Sequence, residues 1–152
     1  MFTVVLFEPQ IPPNTGSIAR LCGAAYVKLD IVGELGFDLS DKQMLRAGLD
    51  YWKYIDWEYH PDLNEYCETM VQKANFHLFT TKASMPYTSR KFRKNDYLVF
   101  GSETTGISED FLRSQWDRAC TIPIMNKHIR SLNLATSVGI VLYEAIRQVN
   151  GK

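Results

Sequence analysis

The chain is poor in the features that mark several large functional classes. It has only three cysteines among 152 residues, Cys22, Cys67 and Cys120, with no CxxC pair. So sparse and odd a set makes no disulfide framework, and each thiol has apolar neighbours, so buried free thiols in a reducing cytosol are expected. His60, His77 and His128 are isolated, which leaves no ligand spacing for a metal, and no metal is expected. Neither sign of charge is in excess: 17 Lys and Arg stand against 17 Asp and Glu. A polyanion partner is therefore not signalled by net charge, although a local cluster of cations can still meet phosphate. No apolar run reaches the roughly 18 residues of a membrane span, so no membrane association is expected. The stretch from Met1 to Pro9 lacks the basic lead and the length of a signal peptide, and a cytoplasmic location follows as an expectation. Three nucleotide and hydrolase signatures are missing: the Gly-Lys-Ser/Thr end of a phosphate loop, the G-x-G-x-x-G spacing, and the G-x-S-x-G elbow.

What remains is an ordinary globular composition, 45% apolar and 22% charged, long enough for a single domain over residues 1–152 with its own core. Thr3 to Phe7 is a continuous apolar run stopped by Glu8-Pro9, which reads as a fully buried strand. Pro12-Pro13 with Asn14-Thr15-Gly16 reads as a stiff turn and helix cap, followed by Ile18, Leu21, Cys22 and Ala25 at helical spacing. Further strands are expected at 29–32, 54–59, 76–80, 97–100 and 121–125. Helices are expected at about 41–47, after Pro61, from Ser108 to about Ser114, and from Leu134 to Asn150-Gly151. Residues 85–95 read as polar, basic loop. Strands alternating with helices predict an α/β fold, a mostly parallel sheet with helices on both faces.

Three polar patches then stand out, each following an apolar run: Glu8 to Gly16, Phe100 to Gly106, and Arg130-Ser131-Leu132-Asn133-Leu134. Three such loops at strand ends point to one composite pocket. Glycines at 101 and 106 suit either a tight strand-to-helix turn or close approach of a ligand to backbone. Glu103 places a negative charge there, which disfavours a phosphate ligand and suits a cationic one such as a sulfonium. Arg20, one turn after Gly16, is placed near the pocket edge, or is simply a solvated helix cation. Tyr143 is a candidate on the last helix, or a partly buried core tyrosine. Arg90-Lys91-Phe92-Arg93-Lys94 is the densest basic run. It is either a solvated loop or a phosphate-contacting segment whose aromatic could stack on a base. Lys127, His128 and Arg130 form a second basic cluster.

In order and in combination, these patches resemble the SPOUT superfamily of RNA methyltransferases, most nearly the tRNA (cytidine/uridine-34)-2′-O-methyltransferase family. The resemblance runs from Glu8 through Arg20-Leu21-Cys22, Leu45 to Tyr51, Phe100 to Gly106, and Ile122-Pro123-Ile124-Met125 through Asn133 to Tyr143-Glu144-Ala145 and Arg147-Gln148. Ser17, Ser102, Thr105 and Ala135-Thr136 depart from the family pattern. The resemblance implies a C-terminal trefoil knot, which nothing in the composition or periodicity shows. It implies S-adenosylmethionine held by backbone at Phe79, Gly101, Ile122 and Ser131, with Arg20 as the catalytic residue and Arg130 and Tyr143 as substrate contacts. It also implies a homodimer acting on the anticodon loop of tRNA, at the ribose of the wobble nucleotide. Readings that remain open are ribose methylation at another tRNA or rRNA position, and a non-catalytic RNA-binding module.

Overall fold

Six strands form one sheet in the order β3-β2-β1-β5-β4-β6, and every pairing between neighbours is parallel. The computed structural model describes residues 1–151, the side chain of Leu49 excepted; Lys152, the last residue of the expected domain, lies outside them. The strands are β1 (Thr3–Phe7), β2 (Lys28–Val32), β3 (Trp57–His60), β4 (Phe76–Phe79), β5 (Tyr97–Phe100) and β6 (Ala119–Cys120). The helices are α1 (Pro12–Ala25), α2 (Lys42–Gly48), α3 (Leu63–Lys73), α4 (Glu109–Ser114) and α5 (Leu134–Asn150). β1 is buried along its whole length, as an apolar run covered on both sheet faces must be. On one face Val4, Leu6, Leu29, Ile31 and Leu98 pack with Ile18 and Cys22 of α1 and Val138, Val141, Leu142 and Ala145 of α5. On the other, Val5, Phe7, Leu78 and Val99 pack with Met70 of α3 and Leu112 of α4.

The chain winds from β1 to β3 towards one edge and returns to build β4, β5 and β6 on the other side. The direction of winding therefore reverses between β1 and β5. In open parallel sheets, the crevice outside the carboxyl ends of the strands at such a reversal is where ligands bind.

Several local expectations are refined. Pro12 and Pro13 of the first patch lie inside α1, in its first turn, where a missing N–H costs nothing because it would have no intrahelical acceptor. The sequence 54–59 divides: Leu49–Tyr54 is a 3₁₀ turn, and the edge strand starts at Trp57. The strand expected at 121–125 is instead the two residues Ala119–Cys120, continued by a single bridge between Pro86 and Thr121. Beyond Cys120 the backbone partner changes: Thr121 N–H donates to Met85 O and Thr121 O accepts from Tyr87 N–H, both at 2.8 Å. The last helix is capped as its sequence requires: Asn133 Oδ1 accepts from Thr136 N–H at 3.1 Å, and Gly151 closes it at φ 69°.

Candidate active site

At the carboxyl ends of β1 and β5, the Glu103 carboxylate fills the reversal point. One oxygen accepts from Gln10 N–H at 2.8 Å; the other accepts from Ile11 N–H at 2.9 Å and from the Asn14 amide at 3.2 Å. These are donors at and just before the start of α1, which lack intrahelical acceptors. A carboxylate there also meets the positive end of the helix dipole. Glu103 lines the cavity, so its negative charge lies near the pocket as expected, while its oxygens are also engaged by the chain itself. The helix N-cap, Ile11, offers no side-chain acceptor of its own, so Glu103 supplies from β5 what the local sequence omits.

Asn14 extends the linkage. Its Oδ1 accepts from the Asn133 amide at 3.0 Å, while Asn133 Oδ1 caps α5. One chain of hydrogen bonds thus runs from Glu103 through Asn14 to Asn133, and ties the three polar patches together. Sequence reading placed Asn14 only as a helix cap and missed this bridge; an amide, which both donates and accepts, is the residue type that can make it.

Beside this staple lies a cavity of about 550 Å³, lined by the loops after β4, β5 and β6 and by the approach to α5. The four residues expected to hold a cofactor, Phe79, Gly101, Ile122 and Ser131, all line it, as does Arg130. Ile124, Leu132 and Leu134 of the named segments line it too, and so do Thr80, Thr81 and Thr121, which were not singled out. Their signal was positional, since Thr80 follows a buried strand directly. Hydroxyl and peptide groups among aliphatic side chains form a lining suited to an uncharged, hydrogen-bonding ring system beside a polar tail. The only ionisable residues in the lining are Lys82, Glu103 and Arg130; Lys82 reaches Glu109 at 3.3 Å, and both are exposed.

Gly16 of the first patch and Gly101 of the second serve packing. A Cβ at Gly101 would lie 2.2 Å from the Gly106 carbonyl carbon and 2.3 Å from Ile107 N, so the loop after β5 folds back on itself across that point. Gly16 is seated against α2, where a Cβ would meet Met44 O at 2.2 Å. Gly106, at φ 69°, has no heavy atom within 4 Å of a Cβ position, and it is the glycine of this loop that borders open space in the cavity.

Arg20 and Tyr143 do not line the cavity. Arg20 is exposed on α1, six residues beyond Asn14 and so roughly 9 Å further along the helix axis. Tyr143 is 50% exposed on α5, ten residues past Asn133 and roughly 15 Å along that axis. The basic run also resolves differently from a base-stacking motif. Phe92 is buried against His77 and Phe79, with ring centroids 4.8 Å and 6.4 Å away. Arg90 donates to the carbonyls of Asp117 and Ala119, both at 2.7 Å. Only Lys91, Arg93 and Lys94 of that run face solvent.

A larger cavity, about 680 Å³, lies under α3 at the amino ends of β2 and β5, with Asp30, His60 and Tyr66 in its lining. Tyr66 donates to Asp30 at 2.6 Å, Lys28 pairs with Asp30 at 3.4 Å, and His60 lies 3.0 Å from Glu58. Its buried carboxylate Asp30 is engaged within the chain, and it sits at the wrong end of β2 and β5 for the loop cluster. The smaller cavity is therefore the candidate site. The three thiols play no part in it: Cys22, Cys67 and Cys120 are unpaired, and burial pushes Cys22 up to about 12 and the other two up to about 11, far from the reactive thiolate range.

Known proteins share this arrangement. The profile of the SpoU rRNA Methylase family matches residues 1–143. A tRNA (cytidine(34)-2′-O)-methyltransferase of Methylovorus glucosotrophus is 43% identical over 150 residues, 97% of this chain and 96% of that protein. A solved structure concerned with the 2-OH methylation of C/U34 on tRNA superposes with a TM-score of 0.94 at 37% identity, covering 100% of this chain and 98% of its own. An AdoMet-bound rRNA methyltransferase from Sinorhizobium meliloti superposes with a TM-score of 0.83 at 25% identity, over 96% of this chain and 56% of its own.

Proposed function

Because the chain belongs to the SpoU rRNA Methylase family, we propose that it transfers the methyl group of S-adenosylmethionine to the ribose 2′-hydroxyl of the wobble nucleotide, cytidine or uridine 34, in tRNA. The observation that carries this is the three-way staple of Glu103, Asn14 and Asn133 beside a 550 Å³ cavity at the carboxyl edge of an all-parallel sheet. Relatives about 40% identical over nearly the whole chain are named for that reaction.

The lining fits the donor. Phe79, Gly101, Ile122 and Ser131 present peptide groups, Ile124, Leu132 and Leu134 present aliphatic surface, and the open side of Gly106 leaves backbone accessible. Bound there, S-adenosylmethionine supplies a methyl carbon made electrophilic by its positive sulfur, which departs as a neutral thioether. The chain's own contribution is orientation: rigid loop ends hold the reacting groups in line, which removes much of the entropic barrier.

Among the described residues, Glu103 is the carboxylate that lines the cavity, and both of its oxygens already accept hydrogen bonds from the chain. Activation of the 2′-hydroxyl falls to Arg20. A guanidinium stays protonated at any working pH, so Arg20 does not remove the proton, which leaves to solvent water as the carbon–oxygen bond forms; Arg20 donates hydrogen bonds to the ribose oxygen and a neighbouring phosphate as negative charge develops. Within one chain Arg20 stands away from the cavity, so this role requires a homodimer in which a second copy brings its Arg20 to the first copy's site. Arg130, which lines the cavity, and Tyr143 then contact the RNA. The segment from β6 through α5 is read as a trefoil knot, and residues 1–152 as one domain built on one sheet. No helix among the described residues is long and apolar enough to cross a membrane, in keeping with work on tRNA in the cytoplasm.

The test is methylation of unmodified tRNA with labelled donor. Label is expected in the ribose of nucleotide 34, and a transcript carrying a 2′-deoxy sugar at 34 should accept none. Label at another tRNA or rRNA position would move the substrate assignment, and no binding of the donor by calorimetry would return the chain to a non-catalytic RNA-binding role.

A further inference from the structure

Arg20 and Arg118 both lie over an aromatic ring, Arg118 at 4.3 Å from the centroid of Phe76, but Arg20 differs from Arg90, Arg118 and Arg147 in having no other partner among the described residues. Arg90 donates to two carbonyl oxygens, Arg118 donates to Asn75 and the Phe76 carbonyl, and Arg147 forks onto Glu144. Arg20 has no ion pair and no side-chain hydrogen bond among the described residues. Its guanidinium carbon instead lies 5.6 Å from the ring centroid of Tyr51, within the range where a cation is attracted to the face of an aromatic ring.

The turn that carries Tyr51 is fixed from both sides. Gly16, one turn before Arg20, lets α1 sit directly on Met44 O and Ala47 of α2. Gly48 lies beneath the Trp52 indole, where a Cβ would be 2.3 Å from Nε1. Trp52 Nε1–H donates to Leu45 O at 3.2 Å, and its ring meets Trp57 edge-on at 5.4 Å. Tyr51 itself is 46% exposed. A half-exposed ring on a locked turn contributes little to the core and a good deal to whatever rests on it.

We infer that Tyr51 is a positioning residue for Arg20, holding the guanidinium against its ring so that its charge stays uncancelled and available to RNA. This rests on the reading that Arg20 acts on the ribose hydroxyl. A carboxylate in the same place would fix the side chain equally well, but it would occupy the fork and cancel the charge that must stabilise a developing oxyanion. A neutral ring does neither. The five N–H donors of a guanidinium then meet no carboxylate oxygen at this position.

Two measurements test the assignment. The first is turnover of wild type, Tyr51→Phe and Tyr51→Leu, each also combined with Arg20→Lys. Tyr51→Leu should lower kcat about 2- to 5-fold, the factor that corresponds to an exposed cation–ring contact, with KM for tRNA unchanged. Tyr51→Phe should restore the rate, and in the Arg20→Lys background Tyr51→Leu should lose less than it does in wild type. The second is the ring-current shift of the Arg20 side chain by NMR, expected in wild type and Tyr51→Phe and lost in Tyr51→Leu, which needs no activity. An unchanged kcat in Tyr51→Leu, a rise in KM alone, equal losses in both backgrounds, or no ring-current shift in wild type would each overturn the assignment. Full activity in Arg20→Lys alone would instead sink the reading of Arg20 on which it rests.

Discussion

Replacing Glu103 with glutamine changes one atom type at the centre of the staple. The carboxylate accepts three hydrogen bonds, two from backbone N–H groups at the start of α1 and one from the Asn14 amide. A glutamine keeps one accepting oxygen, while its NH₂ must face either Gln10 N–H or the Ile11 and Asn14 donors. At least one charge-assisted bond is lost, worth about 1.5–3 kcal/mol in a buried setting, and the favourable meeting with the helix dipole goes too, at about 0.3–1 kcal/mol. Because Ile11 is exposed, water offsets part of the loss, so a total of about 2 kcal/mol is expected. For a chain of this size that lowers Tm by about 4–8 °C. Calorimetry of wild type and Glu103→Gln at neutral pH, without ligand, measures it directly. The loss should appear in the absence of S-adenosylmethionine, because the bonds are internal. A Tm within 1 °C of wild type, with a large drop in affinity for the donor, would show that Glu103 faces the ligand and that the staple is misread.

Three further outcomes follow from the same geometry. Gly16→Ala should destabilise by about 1–3 kcal/mol through overpacking against Met44 O, outweighing the gain of up to about 1 kcal/mol in helix propensity; urea denaturation reads the sign. Phe92→Ala should cost about 3–5 kcal/mol in the same assay, since the ring is core and not an RNA contact; a stable variant with weakened tRNA binding would refute this. His77 should titrate below its ordinary value, because burial, with Arg90 and Arg118 nearby, outweighs Asp96 at 2.8 Å. With Nε2–H donated to Asp96, the buried Nδ1 has no partner for a second proton. A depressed pKa means that the unfolded chain binds the proton first. The contribution is therefore complete above about 6.5 and is lost as pH falls through the folded value, and an NMR titration midpoint above 6.5 would contradict it.

The parallel α/β pattern, the buried central strand, the caps of α4 and α5 and the identity of the three patches could all be read from residue order. These are local matters of periodicity and capping, and each depends on near neighbours in the chain. Phe79, Gly101, Ile122 and Ser131, taken from the family resemblance, line one cavity. What could not be read was which polar groups would find each other. Glu103 has a second task that its place in the sequence does not announce, serving α1, which begins without a side-chain cap, and Phe92 looked like a surface aromatic until His77 and Phe79 closed over it. Arg20 lay one turn from a patch in the sequence, yet the helix carries it out of the cavity and onto the ring of Tyr51. Those outcomes are set by contacts between residues up to 119 positions apart, as with Asn133 and Asn14. A hydrogen bond or a buried ring is decided by what the packed sheet brings within 3 or 4 Å, and chain order alone does not carry that distance.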